Sequence, residues 1–153
     1  PSSHPRPADA MLEAIGDAYM GCPNWRAAVA SAGHEPKTFY YRFDFDDHLA
    51  PDMIGAAHGT ELAFIFDAGD RSPANLLYTG PKWRAARPLG LMMRSYWANF
   101  AAAGDPNGPG LAVWPAYTPA GRERMRLDLP LQVDAADLEE KCAYWDRQPI
   151  VIH

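Results

Sequence analysis

The segment from Thr38 to Phe45 alternates without a break: Phe39, Tyr41, Phe43 and Phe45 fall on one face, Tyr40, Arg42 and Asp44 on the other. A period of two marks a β-strand with one buried face, and so aromatic a face must be covered. The rest of the chain offers this strand little company. Only Arg124 to Leu129 reads as another strand, and it lies far away in sequence. Two such strands need a larger sheet to join, so further strands are expected from outside these residues. The fold class expected is α/β and incomplete.

Helical spacing accounts for most of the remainder. Met11, Leu12, Ile15 and Tyr19 predict a helix from about Asp9 to Met20, after an extended lead-in at Pro5 and Pro7. Cys22-Pro23 restarts the chain, proline being tolerated in a first turn; Trp25, Ala28, Val29 and Ala32 then predict a helix ended by Gly33. The strongest stripe, Leu89, Met92, Met93, Tyr96, Trp97 and Phe100, predicts a helix from Ala86 to Ala103. The dense turn signal Gly104-Asp105-Pro106-Asn107-Gly108 stops it. Leu62 to Phe66 fits a helix or a strand, the stretch from Ala68 to Lys82 is turn-rich, and Leu138, Cys142 and Trp145 align on a last helix from about Ala136 to Arg147. If the sheet is incomplete, the Ala86–Ala103 helix and the Thr38–Phe45 strand should leave large apolar faces uncovered. Full burial of those faces would contradict that reading.

Composition narrows the function classes. With 48% apolar and 12% aromatic side chains in 153 residues, the chain is no disordered tail, disulfide miniprotein or collagen-like fibre. Its formal net charge is −5, and it has no dense Lys/Arg run, which argues against nucleic acid or an anionic membrane as the main partner. No apolar stretch approaches the roughly 18 residues of a membrane span. Pro1 to Pro7 reads as neither a signal peptide nor a natural start. Cys22 and Cys142 belong to no CxxC pattern; a bridge between them and two buried free thiols both fit the residues as they stand.

Among the histidines His4, His34, His48, His58 and His153, two invite a chemical reading. Asp44, Asp46, Asp47 and His48 could be read as a metal site, although a solvated loop after a strand commonly produces such a charge run. A small metal-binding domain using His48, His58 and nearby aspartates is accordingly ranked last. Asp105-Pro106-Asn107-Gly108 lacks the acidic spacing and distal Glu of a calcium loop and reads as a turn. His58 differs because Gly55, Ala56, Ala57 and Gly59 surround it, a small-residue loop from which an imidazole can reach into a cleft. A strand followed by a histidine-bearing loop is also where an α/β-hydrolase places the last member of its Ser, Asp/Glu, His triad. A satisfied structural histidine fits the same pattern.

Longer segments carry a resemblance. Gly55-Ala-Ala-His58-Gly-Thr-Glu61-Leu-Ala-Phe-Ile-Phe66 resembles the catalytic-histidine segment of type-B carboxylesterases, the family of cholinesterases and bacterial para-nitrobenzyl esterases. Trp97-Ala-Asn-Phe-Ala-Ala-Ala-Gly-Asp-Pro-Asn107 with Trp114-Pro115-Ala-Tyr117 is similar to that family's next helix and turn. Cys22-Pro23, Phe39-Tyr-Tyr-Arg-Phe-Asp44 and Cys142-Ala-Tyr-Trp145-Asp146 fit in the same order, so the likeness runs from about Leu12 to Asp146.

The resemblance implies that residues 1–153 are the C-terminal segment of a single α/β-hydrolase domain, in an enzyme that hydrolyses carboxylic esters through an acyl-enzyme. His58 would be the general base. Glu61 would be a carboxylate supporting its loop, and Met53, Ile54 and Ala57 would lie near the substrate pocket. Cys22 and Cys142 would form a disulfide, which would favour an exported protein. No cofactor is implied. The partner implied is the N-terminal part of the same enzyme, carrying the nucleophilic serine and the Asp/Glu, together with a small uncharged or weakly polar ester as substrate. The departures agree: Ser2, Ser3, Ser31, Ser72 and Ser95 all lack the glycines of G-x-S-x-G, and there is no Gly-rich oxyanion loop. A base without its nucleophile performs no acyl transfer, so the chain alone should be inactive. The alternative is a non-catalytic adhesion or interaction module of the same fold, which a residue other than serine at the nucleophile elbow would indicate.

Overall fold

The computed structural model describes residues 7–67, 77–78, 80–136 and 138–148. Helix α1 (Pro7–Gly16) passes through a π-helical turn (Asp17–Gly21) into α2 (Cys22–Ala32). Strand β1 (Tyr41–Phe43) follows, then the short helices α3 (Pro51–Ile54) and α4 (Leu62–Ile65) and the long helix α5 (Pro81–Ala103). Strands β2 (Glu123–Leu127) and β3 (Gln132–Ala135) and helix α6 (Glu139–Asp146) complete the order. The expected lead-in at Pro5 and most of the turn-rich 68–82 stretch lie outside the described residues.

The strands form one sheet in the order β1-β2-β3. β1 runs parallel to β2, with Tyr41 opposite Met125 and Phe43 opposite Leu127. β2 runs antiparallel to β3, with Arg124 opposite Asp134. Among the described residues β1 is therefore an edge strand. Its ladder is shorter than the alternation predicts; residues before it also bond outside the sheet, while Tyr40 O still accepts the Met125 N–H at 3.0 Å. Thr38 O accepts from the Tyr117 amide and Tyr40 O from the Trp114 indole, at 2.7 and 3.1 Å.

The alternation itself holds. Phe39 and Tyr41 meet Trp114, Tyr41 meets Trp97, and Phe43 and Phe45 meet Phe64, with ring centroids 5.2–6.3 Å apart. The opposite face is polar. Arg42 Nε and Arg126 Nε each lie 2.5 Å from a different oxygen of Asp44, while Arg124 holds Asp134 through two hydrogen bonds of 2.7 and 3.1 Å.

Helix α5 starts at Pro81 rather than Ala86, with proline in its first turn where the missing N–H is harmless. Its end matches expectation: Gly104 takes a left-handed φ of 67° and donates its N–H to Phe100 O. Half of its apolar stripe is covered and half is not: Met92 and Trp97 are only partly buried and Phe100 is 47% exposed, so the expectation of an open face holds for that half alone. Leu89, Met93 and Tyr96 are wholly buried, packed with Phe64, Met125 and Leu127 into the core. The β1 side chains Phe39, Tyr41 and Phe43 are only partly buried. A second open apolar stripe lies on α1 and the turn after it, where Met11, Leu12, Ile15 and Tyr19 are each 48–59% exposed.

Cys22 and Cys142 form a disulfide with Cα atoms 5.3 Å apart, resolving the two readings of the cysteines in favour of the bridge. It ties the first turn of α2 to α6, helped by Lys141, which pairs with Glu13 and Asp17 at 2.7 and 3.0 Å. The helical corner joins the sheet through the Trp25 indole, which donates to the Tyr117 hydroxyl at 3.0 Å.

Candidate active site

A groove of about 1020 Å³ runs between the N-terminal helices and the unpaired edge of β1. Leu12 and Ile15 of α1 line one wall, Tyr40 and Tyr41 the other, and His58 stands among its lining residues. The chain reaches His58 in tight steps. Gly55 adopts φ +58°, a left-handed conformation that a side chain would strain. Its carbonyl accepts the Ala57 N–H at 2.9 Å. The Ala57 carbonyl then accepts both the Thr60 N–H and the Thr60 hydroxyl, at 3.2 and 2.7 Å. Gly59, at φ +87°, lets the chain turn straight into α4. The turn that displays His58 is thus closed by its own backbone and one threonine.

The His58 ring is exposed and, among the described residues, neither donates nor accepts a hydrogen bond. An imidazole with both nitrogens open on a groove can take a proton from a hydroxyl brought to it. Glu61 lies on the same groove, partly buried. Burial pushes the Tyr41 hydroxyl up, and the Glu61 charge adds to that. Ile54 and Ala57 line the groove with His58, whereas Met53 is almost wholly exposed and is not one of its lining residues. No serine hydroxyl bonds to His58 among the described residues; that of Ser95 donates to Leu91 O within α5.

The acidic run before the loop is divided among separate partners. Asp44 faces two arginines, Asp47 pairs with Lys82, and His48 points inward. Among the described residues, no three His, Cys, Asp or Glu side chains gather where a metal could bind. Asp105 caps its own turn, accepting both the backbone N–H and the side-chain amide of Asn107 at 2.9 Å.

One residue beside the His58 turn has an environment that the sequence did not disclose. His48 is 1% exposed, its Nδ1 accepts the Ala50 N–H at 3.1 Å, and its Nε2 lies 2.9 Å from Gly55 O. Sitting in an acidic run with no apolar period around it, His48 carries no pattern that separates it from its solvated neighbours. A weak signal was available in Pro51 and Gly55, which bend the chain back far enough for a side chain to bridge the loop.

A family model described as the carboxylesterase family matches residues 2–145. Carboxylesterase 5A of Canis lupus familiaris is 29% identical over 149 residues, covering 94% of this chain and 26% of the dog protein. Carboxylesterase 4A of Bos taurus is 40% identical over 113 residues, 70% of this chain and 19% of the bovine protein. Acetylcholinesterase of Gallus gallus is 36% identical over 143 residues, 91% of this chain and 18% of the chicken protein. The chain thus spans about a fifth to a quarter of the length of these relatives.

Proposed function

We propose, for a chain that belongs to the carboxylesterase family, that it is the C-terminal segment of a single α/β-hydrolase domain and supplies the histidine of a serine carboxylic-ester hydrolase. The observation that carries the reading is the placement of His58: an open imidazole, on a turn closed by its own backbone, among the residues lining a groove beside β1, an edge strand among the described residues. In this reading His58 takes the proton of a serine as that serine attacks the ester carbonyl. It then returns the proton to the departing alkoxide, leaving an acyl-enzyme and a free alcohol. In the second half His58 takes a proton from water, the hydroxide attacks the acyl carbon, and the serine leaves with that proton. Serine, acid and oxyanion donors would come from an N-terminal part of the same enzyme, whose strands would extend the sheet at β1. Glu61 would stiffen the His58 turn, and Ile54 and Ala57 would border the substrate, with Met53 further out. The substrates would be small, uncharged or weakly polar esters.

Labelling of the whole protein with a fluorophosphonate ester tests this. The reading predicts one phosphonylated serine, located by peptide mass spectrometry outside the 153 residues, and loss of labelling in His58→Gln. A phosphonylated serine within this chain, or labelling unchanged by H58Q, would contradict it.

A further inference from the structure

His48 is a buried histidine that the ester chemistry does not use. It lies 1% exposed, edge-on to the Tyr78 ring at 5.5 Å, and both its nitrogens are engaged by backbone. With Nδ1 accepting the Ala50 N–H, the other nitrogen carries the proton, so Nε2–H donates to the carbonyl of Gly55. Those two bonds select one tautomer of the ring and close a loop from His48 to Gly55. The Gly55 carbonyl is the same atom that accepts the Ala57 N–H and so begins the turn displaying His58. Gly55 also has a positive φ, a conformation that residues with a side chain rarely adopt. The ring therefore grips the chain at the root of that turn.

We infer that His48 is a positioning residue: its Nε2–H···O=C bond to Gly55 sets where the His58 imidazole stands in the groove. The inference rests on the reading of His58 as the esterase base. His48 itself touches neither substrate nor the reacting atoms, and a misplacement of the base by about 1 Å suffices to slow turnover by up to about a hundredfold.

Two conservative variants separate the two bonds. In His48→Gln the amide nitrogen can occupy the place of Nε2 and keep the bond to Gly55. In His48→Asn the shorter amide can keep only the bond at the Nδ1 position, to Ala50. In the whole esterase, with a para-nitrophenyl ester as probe, H48N should lose about tenfold or more in kcat with little change in KM, and H48Q should recover most of that loss. Hydrogen exchange at the Ala57 amide should be faster in H48N than in H48Q. Equal kcat and equal exchange in the two variants, or a loss confined to KM, would overturn the inference. If ester turnover proves independent of His58, the esterase reading fails instead, and the exchange rates still decide whether His48 holds the turn.

Discussion

Arg126 on β2 places its Nε 2.5 Å from Asp44 Oδ2, just beyond the last residue of β1, locking the end of one parallel strand to the middle of its neighbour. Arg42 holds the other carboxylate oxygen at 2.5 Å. Burial by itself would raise the Asp44 carboxyl, but the hydrogen bonds and charges of Arg42 and Arg126 outweigh it and hold the group below its ordinary value. A carboxyl whose value is depressed on folding stabilises the native chain above the unfolded value, and that contribution is lost as pH falls through the folded value. Asp44→Asn should therefore cost about 1–3 kcal/mol at neutral pH. The gap to wild type should narrow as pH drops below the ordinary carboxylate range. Urea unfolding midpoints along a pH series check this; a gap that widens in acid would contradict it.

The alternating segment through Phe45 was legible because side-chain period depends on backbone geometry alone. Its ladder length was not, since that depends on partners from far along the chain: Tyr117 takes Thr38 O, and the Trp114 indole shares Tyr40 O with the Met125 N–H. β3 was missed for a different reason. Gln132-Val133-Asp134-Ala135 buries no face, being a polar edge held by backbone pairing and Arg124, so it has no hydrophobic period to read. The buried half of the α5 stripe was not legible because its cover, Phe64 of α4 with Met125 and Leu127 of β2, comes from residues far away in sequence. That His58 stands on an open turn was legible from the small residues around it, whereas the burial of His48 was hidden in a charge run.

Gly90 lies where α5 passes α4. A Cβ there would stand 3.3 Å from Arg94 Nη1 and 3.6 Å from Phe64 O, the two atoms whose 3.0 Å hydrogen bond ties α4 to α5. Alanine gains about 0.5–1 kcal/mol of helix preference and loses something comparable by crowding that bond. Gly90→Ala should change stability little. Gly90→Val adds bulk that the bond cannot absorb and should cost about 1–3 kcal/mol, read as a lower thermal midpoint.

Asn107 mimics a backbone partner for Trp114: its Oδ1 accepts the Trp114 N–H at 2.7 Å and its Nδ2 donates to Trp114 O at 2.9 Å. Removing the amide leaves both groups unpaired beneath a buried indole. Asn107→Ala should cost about 1–3 kcal/mol for each group kept from water, and the Trp114 contribution to near-ultraviolet circular dichroism should weaken.

The disulfide between Cys22 and Cys142 holds α6 to α2 across 120 residues of sequence. Its reduction, or the double change C22S/C142S, should lower stability by about 2–5 kcal/mol. Exchange protection should fall first in α6, whose other ties to the corner are ion pairs at the surface and the bond from Arg26 to Cys142 O. Identical unfolding curves with and without reductant would contradict the bridge's role.

The base role proposed for His58 can be checked by steady-state kinetics of His58→Gln in the whole enzyme. The kcat for a para-nitrophenyl ester should fall by about 10⁴-fold or more while the thermal midpoint stays within a few degrees of wild type, His58 being exposed and free of structural hydrogen bonds among the described residues. Turnover retained within tenfold of wild type would contradict it.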